Sequence, residues 1–348
     1  MRNEERGTRK EERKKWIWQL PFLVLLIVGT VLIISHQRSM PYRQVSDFVF
    51  GTTYKVIYQC DSDLTVTIRQ ELMKVDHSLS PFNKESVITA VNQNREVTLD
   101  PYFIEVFTKA MEVSRETEGA FDITVAPLVN AWGFGFKHEQ MPTAHQVDSL
   151  RQIIGYQKIS LSGGKVKKQD PRMMLDCSAI AKGFGVDAVA RMLRDRGVQN
   201  FMVEIGGEVI TCGVNAQRLP WRVGVIKPSE DSLSVGHELQ TILNVTDKAM
   251  ATSGNYRNFY YKNGRRYAHT IDPKTGYPVQ HSLLSATVLA NSCTIADAYA
   301  TSFMVMGLER AQQLLERHSE LMAYLIYDDG HGDIAVWFSP SLRNKIEE

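Results

Sequence analysis

An aspartate and a threonine four residues apart are the first candidates for chemistry in this sequence. Asp297 and Thr301 lie in the run 295–303 (IADAYATSF), where the apolar pattern predicts a helix. This spacing places both side chains on one helix face, and a carboxylate and a hydroxyl are oxygen ligands suited to a hard cation such as Mg²⁺. The pair fits equally a solvated face with the threonine bonded to its own backbone, so the spacing leaves both interpretations open.

A histidine and an aspartate flank a predicted turn. His269 precedes the run 272–276 (DPKTG), a strong turn signal that would end a strand and leave an imidazole and the Asp272 carboxylate at an exposed rim. A simple hairpin explains the same residues. Upstream, the run 252–257 (TSGNYR) combines hydroxyls, a flexible backbone and one arginine, a set that can bind phosphate oxygens or form a polar turn.

A lysine follows the start of a predicted helix. The run 178–183 (SAIAKG) comes directly after the strand-like segment Met173–Asp176, so Lys182 and free backbone N–H groups would lie at a positive helix end that suits an anion. The overlapping run 183–188 (GFGVDA) matches the dinucleotide fingerprint, with Glu204 about 20 residues later, as a Rossmann fold requires. Its glycines come well after the strand, however, and no parallel βαβ repeat is evident, so this alternative is the weaker one.

Aromatic and small residues gather in two neighbouring runs. The run 119–124 (GAFDIT) follows a predicted helix end and leads to the run 131–135 (AWGFG). Aromatic side chains close to one carboxylate, Asp122, can wall a flat ring such as an adenine or a flavin. Core packing explains the same residues equally well.

These residues must be positioned by a mixture of helices and strands. Helices are predicted over Leu64–Leu79, Pro101–Thr117, Ser178–Arg196, Cys293–Gly307 and Glu309–His318. Strands are predicted at Asp47–Tyr58 and Phe201–Glu204, within Trp221–Ala290, as a hairpin turning at 162–164, and as a pair over Met322–Phe338. Because the strands cluster in antiparallel-looking groups and do not alternate with helices, the pattern favours an α+β fold.

The amino-terminal region predicts a membrane anchor. Residues Trp16–Ser35 form a run of 20 without charge, long enough to span about 30 Å of hydrocarbon. Seven Lys or Arg precede it, which predicts a cytoplasmic tail over 1–15, a single transmembrane helix over 16–35, a linker over 36–46 and an extracytoplasmic domain over 47–348. A cleaved signal peptide is the alternative, although no small-x-small cleavage site follows closely.

Composition excludes several classes of protein. The net charge is +1 and, beyond the first 15 residues, basic residues are scattered among acidic ones, which argues against nucleic acid as a partner. The four cysteines lie far apart without a Cys-x-x-Cys pair. A zinc site or a dense disulfide framework is therefore not expected, and the cysteines are predicted to be core residues, with one disulfide possible.

Taken in order, the motifs resemble the ApbE family, the FAD:protein FMN transferases. The resemblance runs from about Phe48 to the last strands. It implies an ApbE-like, T-fold-related mixed domain with antiparallel-rich sheets and packed helices. The motifs that carry it are Gly51-Thr-Thr, the run 80–86, GAFDIT with WGF, LDCSAIAKGFGVD, the strand into Gly206-Gly207-Glu208, TSGNYR, HTIDP-KTG-YPV and ADAYATS.

The resemblance also implies a chemistry and the residues for it. The family cleaves the pyrophosphate of FAD with Mg²⁺, attaches FMN through a phosphoester to a Thr or Ser of a target protein, and releases AMP. The implied metal ligands are the Asp297 carboxylate, the Thr301 hydroxyl and the Ala179 carbonyl, and His269 is the implied base. The implied flavin-nucleotide contacts are Phe50, Phe82, Ala120, Phe121, Asp122, Asp176, Lys182 and Ile271.

Two positions depart from the family pattern, and two alternative activities stay open. Relatives often carry Met at the position of Phe50, and Phe82 lacks the hydroxyl or indole N–H that relatives offer. The implied partners are FAD and flavin-accepting subunits of Nqr- or Rnf-type membrane redox complexes or other extracytoplasmic flavoproteins, and self-flavinylation is not expected because the chain lacks a Ser-Gly-Ala-Thr acceptor. The alternatives are hydrolysis of FAD to FMN and AMP, and flavin binding without catalysis.

Overall fold

Helices and strands follow one another irregularly along the chain. The structure, a computed structural model, describes residues 20–32, 35, 39–134, 141–228, 239–255, 259–262, 265–331 and 333–347. The helices are α1 (20–32), α2 (Thr65–Leu79), α3 (Val87–Asn92), α4 (Pro101–Glu116), α5 (Ala126–Ala131), α6 (Ala144–Arg151), α7 (Ser178–Asp195), α8 (Cys293–Met306) and α9 (Leu308–Arg317). The strands are β1 (Tyr42–Val49), β2 (Thr52–Gln59), β3 (Ile159–Ser162), β4 (Lys165–Lys168), β5 (Phe201–Ile205), β6 (Glu208–Cys212), β7 (Arg222–Ile226), β8 (Leu239–Asn244), β9 (Ala249–Gly254), β10 (Phe259–Lys262), β11 (Arg265–Ala268), β12 (Leu283–Ala290), β13 (Met322–Asp328), β14 (Ile334–Phe338) and β15 (Ile346–Glu347).

The largest sheet has eight strands in the order β1-β2-β5-β6-β9-β12-β13-β14. Every neighbouring pair in it is antiparallel. Strands β7, β8 and β15 form a second sheet, while β3–β4 and β10–β11 are two-stranded. The predicted α+β class with antiparallel sheets and packed helices is confirmed. Because the described strand pairs are all antiparallel and Gly183 and Gly185 lie inside α7, the dinucleotide-binding alternative is wrong.

Helices α7 and α8 pack side by side and build the core against the sheet. Helix α8 contacts β9 and β12 as well as α7. The side chains of Ile180, Phe184 and Phe303 on these helices are fully buried. The helices approach closely at Gly183, where a Cβ atom would lie 2.3 Å from the carbonyl oxygen of Cys293. All four cysteines are free thiols, and Cys177 and Cys293 are buried, as expected for core residues.

The helix ends follow capping signals that the sequence contains. At the start of α4, the side chain of Asp100 accepts a hydrogen bond from the Phe103 N–H at 2.9 Å, and Pro101 occupies the first turn. At the start of α8, the side chain of Ser292 accepts from the Ile295 N–H. The five helices predicted after residue 47 are confirmed, each to within one residue at both ends.

The single strand predicted over Asp47–Tyr58 is wrong. The segment contains a tight turn between β1 and β2, and β1 begins at Tyr42, inside the predicted linker. Phe50 and Gly51 have φ angles of +52° and +76°, as a two-residue hairpin turn with left-handed central residues requires. A phenylalanine is a rare occupant of that conformation, so its presence hid the turn in the sequence.

The strand-like segment Met173–Asp176 forms no strand. The side-chain amide of Asn92 takes the place of a neighbouring strand. Its Nδ2 donates to the Leu175 carbonyl at 2.8 Å, and its Oδ1 accepts from the Leu175 N–H at 2.7 Å. An extended, apolar run thus has its backbone satisfied outside a sheet.

The described part of the predicted anchor is helix α1, over 20–32, together with residue 35. Residues 16–19 and 33–34 of the predicted span lie outside the described residues. Within the part of the chain that the structure describes, no helix has both the length and the apolar character needed to cross a membrane.

Candidate active site

One cavity of about 990 Å³ collects motifs from distant parts of the chain. Its walls come from the segment after α4, from α7 and α8, from the end of β9 and from the loop after β11. Its volume lies at the upper end of the usual range for small-ligand sites. The predicted site residues that line it are Phe82, Ala120, Phe121, Asp122, Asp176, Ala179, Lys182, His269, Ile271, Asp297 and Thr301.

Helix α7 positions the carboxylate of Asp297. Asp297 is 4% exposed, and its Oδ2 accepts a hydrogen bond of 2.9 Å from the backbone N–H of Gly183. In a regular helix that N–H donates to the carbonyl four residues earlier, which is that of Ala179. The carboxylate therefore lies where the first turns of α7 and the middle of α8 meet, and Ala179 lines the same cavity.

A second aspartate holds the start of α8 in place. The Oδ2 atom of Asp187, on α7, accepts from the Ser292 hydroxyl at 2.7 Å and from the Thr294 N–H and hydroxyl at 2.8 and 2.6 Å. Its Oδ1 accepts from the Cys293 N–H at 2.9 Å. These bonds satisfy the first donors of α8 and set the rotation of the helix that carries Asp297 and Thr301.

The predicted metal ligands form an all-oxygen set. Asp297, Thr301 and the backbone of Ala179 contribute one carboxylate, one hydroxyl and one carbonyl. Among the described residues, no group of three or more His, Cys, Asp or Glu side chains is arranged to hold a metal ion. A set with one carboxylate suits a hard cation that keeps waters or substrate oxygens as further ligands.

A buried ion pair lies on the same wall. Lys182 Nζ is 2.6 Å from Glu208 Oε1, and the two side chains are 32% and 3% exposed. Burial disfavours the ammonium, but the carboxylates of Asp297 and Glu208 outweigh this effect and raise the pKa of Lys182. Burial also raises the pKa of Glu208, against the opposing effect of Lys182. Sequence reasoning did not select Glu208, because nothing in the Gly-Gly-Glu motif indicates burial beside a lysine.

Asp122 organises the loop that follows α4. Its Oδ1 accepts from the Thr124 N–H and hydroxyl at 2.8 and 2.7 Å, and its Oδ2 accepts from the Tyr156 N–H at 2.8 Å. Burial raises the pKa of Asp122, while the bonds from Thr124 act in the opposite direction. Phe121 beside it is 2% exposed and belongs to the core as well as to the cavity wall.

His269 lines the cavity from the loop after β11, which is tied to the segment after α5. The ring centroids of His269 and Phe134 are 6.4 Å apart in an edge-to-face arrangement. The indole N–H of Trp132 donates to the Gly276 carbonyl at 2.8 Å, which links the aromatic run to the turn after His269. Asp272 does not share the cavity lining with His269. Its carboxylate accepts from the Lys274 N–H at 2.9 Å and closes the turn.

Other predicted residues lie apart from the cavity or at its edges. Phe50 lies outside the cavity lining, and its ring packs on Gly185, where a Cβ atom would be 2.8 Å from the ring edge. Phe82 lines the rim and is 75% exposed. Asp176 caps the backbone at the start of α7, since its Oδ1 accepts from the Ser178 N–H at 2.8 Å. Residues 252–254 line the cavity, whereas 256–257 lie outside the described residues.

Known proteins resemble this chain in both sequence and architecture. A profile of the ApbE family matches residues 50–326. An FAD:protein FMN transferase of Haemophilus influenzae is 36% identical over 342 residues, which are 93% of this chain and 97% of that protein. The solved flavin transferase ApbE from Vibrio cholerae is 36% identical, with a TM-score of 0.79 over 88% of this chain and 100% of that one. The apo Pseudomonas stutzeri flavinyl transferase ApbE is 29% identical, with a TM-score of 0.78 over 88% and 97%.

Proposed function

The chain belongs to the ApbE family, and from this premise we propose that it is an FAD:protein FMN transferase. In this reaction a Thr or Ser hydroxyl of a target protein attacks the FMN phosphorus of FAD. The new phosphoester bond forms as the bond to the bridging oxygen breaks, and AMP leaves. The observation that carries the proposal is that motifs from seven regions of the chain, from Phe82 to Thr301, line one cavity.

The oxygen donors at the α7–α8 contact support Mg²⁺ as the cation. Asp297, Thr301 and Ala179 all line the cavity, and a carboxylate, a hydroxyl and a backbone carbonyl are ligand types that Mg²⁺ prefers. The Gly183 N–H orients Asp297, as outer partners of metal ligands usually do. A bound Mg²⁺ supplies charge neutralisation on the diphosphate oxygens.

Charged and titratable side chains of the chain itself supply the remaining steps. His269 accepts the proton of the attacking hydroxyl, because imidazole is the side chain suited to proton transfer near neutral pH. Lys182, held as an ammonium by its two carboxylate neighbours, stabilises negative charge on the diphosphate as AMP departs. Phe82 and Phe134, which both line the cavity, offer aromatic rings for the flavin or adenine.

We also propose that the enzyme is anchored in the cytoplasmic membrane with its active site on the outer side. The uncharged run Trp16–Ser35 and the seven basic residues before it support this orientation. The large apolar side chains described on α1 are 50–72% exposed, as expected of a helix whose surroundings are lipid and not protein. Flavin-accepting subunits of Nqr- or Rnf-type complexes are the proposed targets.

A single incubation tests the activity. The detergent-purified full chain is mixed with FAD, Mg²⁺ and an extracytoplasmic redox subunit, and the denatured products are examined for a covalently fluorescent band and for AMP. Transfer yields both, FAD hydrolysis yields AMP with free FMN and no band, and flavin binding alone leaves FAD intact. Either of the last two results overturns the proposal.

Variants in the same assay test the assigned roles. Asp297→Ala is expected to abolish Mg²⁺-dependent AMP release, and His269→Ala to slow protein labelling by about 10²–10⁴-fold. Asp148→Ala and His145→Ala on exposed positions of α6 are the matched controls and should retain activity. A fully active Asp297→Ala protein would show that the metal assignment is wrong.

A further inference from the structure

Glu208 is a buried charge in the cavity wall that the proposed chemistry does not use. It begins β6, directly after the turn at Gly206 and Gly207, and is 2% exposed. Its Oε1 pairs with Lys182, whereas its Oε2 is buried and has no hydrogen-bond partner among the residues that the structure describes. An ionised carboxylate with one unsatisfied oxygen is costly to bury.

Stability does not explain this ion pair. Burying two charges costs about as much as their attraction returns, and a well-packed apolar pair at the same positions is often equally stable or more so. Lys182 and Glu208 also lie on different elements, α7 and β6, so no local motif requires them to meet. The pair therefore points to a requirement of the site.

The requirement follows from a third charge nearby. Asp297 lies beside the pair, since its Oδ2 accepts a hydrogen bond from the N–H of Gly183, the residue after Lys182, and Asp297 and Lys182 line the same cavity. Its negative charge also raises the pKa of Lys182. Nζ nevertheless lies 2.6 Å from Glu208. A flexible lysine without the Glu208 partner would move towards Asp297. It would then neutralise the carboxylate that the cation needs and withdraw its own charge from the diphosphate.

We propose that Glu208 is a positioning residue that holds the Lys182 ammonium away from Asp297, leaving the carboxylate to the cation and the ammonium to the diphosphate of FAD. This inference rests on the proposed transferase function. In this role the glutamate of the Gly-Gly-Glu turn prevents Lys182 from competing with the cation for the Asp297 carboxylate.

The test measures Mg²⁺ binding directly, by calorimetry on the detergent-purified full chain in the presence of FAD. Glu208→Gln keeps the side-chain volume and removes the charge, so Mg²⁺ affinity is expected to fall by about 10- to 100-fold. In the Lys182→Met protein no ammonium is present to compete, so adding Glu208→Gln should change Mg²⁺ affinity by less than about twofold. Glu204→Gln is the matched control, because this carboxylate lies on the same hairpin, bonds the Gly207 N–H and does not line the cavity.

Each outcome decides the question. An equal loss of Mg²⁺ affinity in the wild-type and Lys182→Met backgrounds would show a merely structural role and overturn the proposal, as would unchanged affinity in Glu208→Gln. If Glu208→Gln does not fold, Glu208→Asp keeps the charge but shortens its reach, and unchanged Mg²⁺ affinity in that variant overturns the proposal. A wild-type protein that transfers FMN while Glu208→Gln binds Mg²⁺ normally would refute this inference alone, whereas an inactive wild type would refute the proposed function.

Discussion

The backbone N–H of Gly183 donates a hydrogen bond of 2.9 Å to Oδ2 of Asp297. This contact joins two helices whose motifs are more than 100 residues apart, since 114 positions separate its partners. It is possible because Gly183 has no side chain, so the backbone of α7 reaches the carboxylate directly. The absence of a side chain at Gly183 therefore allows both the close packing of α7 against α8 and the hydrogen bond that orients Asp297, a proposed metal ligand.

Replacing Gly183 by alanine should damage both properties. The added Cβ would lie 2.3 Å from the Cys293 carbonyl oxygen and 2.8 Å from Asp297 Cβ, and neither atom can move without shifting α8. We expect a loss of about 1–3 kcal/mol in the free energy of unfolding, measured by urea denaturation, together with weaker Mg²⁺-dependent AMP release. Gly185→Ala is the comparison, because its Cβ would meet the ring edge of Phe50, a side chain that can turn away. Equal effects in both variants would contradict this account.

Removing the carboxylate of Asp187 should loosen the start of α8. Its two oxygens accept four hydrogen bonds from Ser292, Cys293 and Thr294, and buried donors without partners are costly. Asp187→Ala should lower the free energy of unfolding by about 2–3 kcal/mol, as read from the urea midpoint. Asp195→Ala, at the exposed end of the same helix, serves as the control and should change it little. Similar midpoints for the two variants would refute the capping role.

The stability of the fold should depend on His281 below neutral pH. His281 is exposed as a whole residue, but its Nε2–H donates to the Met304 carbonyl at 2.8 Å, and partial burial of the ring lowers its pKa from the ordinary value. As the pH falls below about 6.5, the unfolded chain takes up a proton that the folded ring resists, so stability is lost. Between about pH 7.5 and 5.5 the Tm of the wild type should therefore fall more than that of His281→Gln. The exposed His145→Gln should follow the wild type, and parallel curves for all three would contradict the prediction.

Two of the four cysteines should resist alkylation in the folded protein. Burial raises the pKa of the Cys177 and Cys293 thiols, which removes both the thiolate and the access that the reaction needs. Iodoacetamide at about pH 8, followed by peptide mass spectrometry, should label half-buried Cys60 well before either of them. Urea should equalise the rates. Labelling of Cys293 as fast as Cys60 in the native protein would show that the α7–α8 contact opens readily.

Most helices could be predicted from the sequence, and the elements that were missed lack a clear local signal. Caps such as Asp100 and a regular apolar period act between neighbouring residues, so helices such as α4 and α7 could be located to within one residue. The two six-residue helices α3 and α5 were missed, because so short an element shows little periodicity. The hairpin at Phe50 was missed because a phenylalanine rarely adopts a left-handed backbone, so that Gly51 was the sole turn signal between β1 and β2.

By itself the sequence determined the fold class, the family resemblance and a set of site residues of which all but Phe50 line the cavity. This information lies in the order of residue types along the chain, and reading that order requires no knowledge of the distances between residues. The tertiary structure alone decided which of these residues meet: that Gly183 bonds Asp297, that Asp272 serves its own turn, and that Phe50 packs on Gly185. It also decided that Glu208 faces Lys182. These two residues are more than 20 positions apart in the sequence, and they become buried and paired only when α7 and β6 pack together.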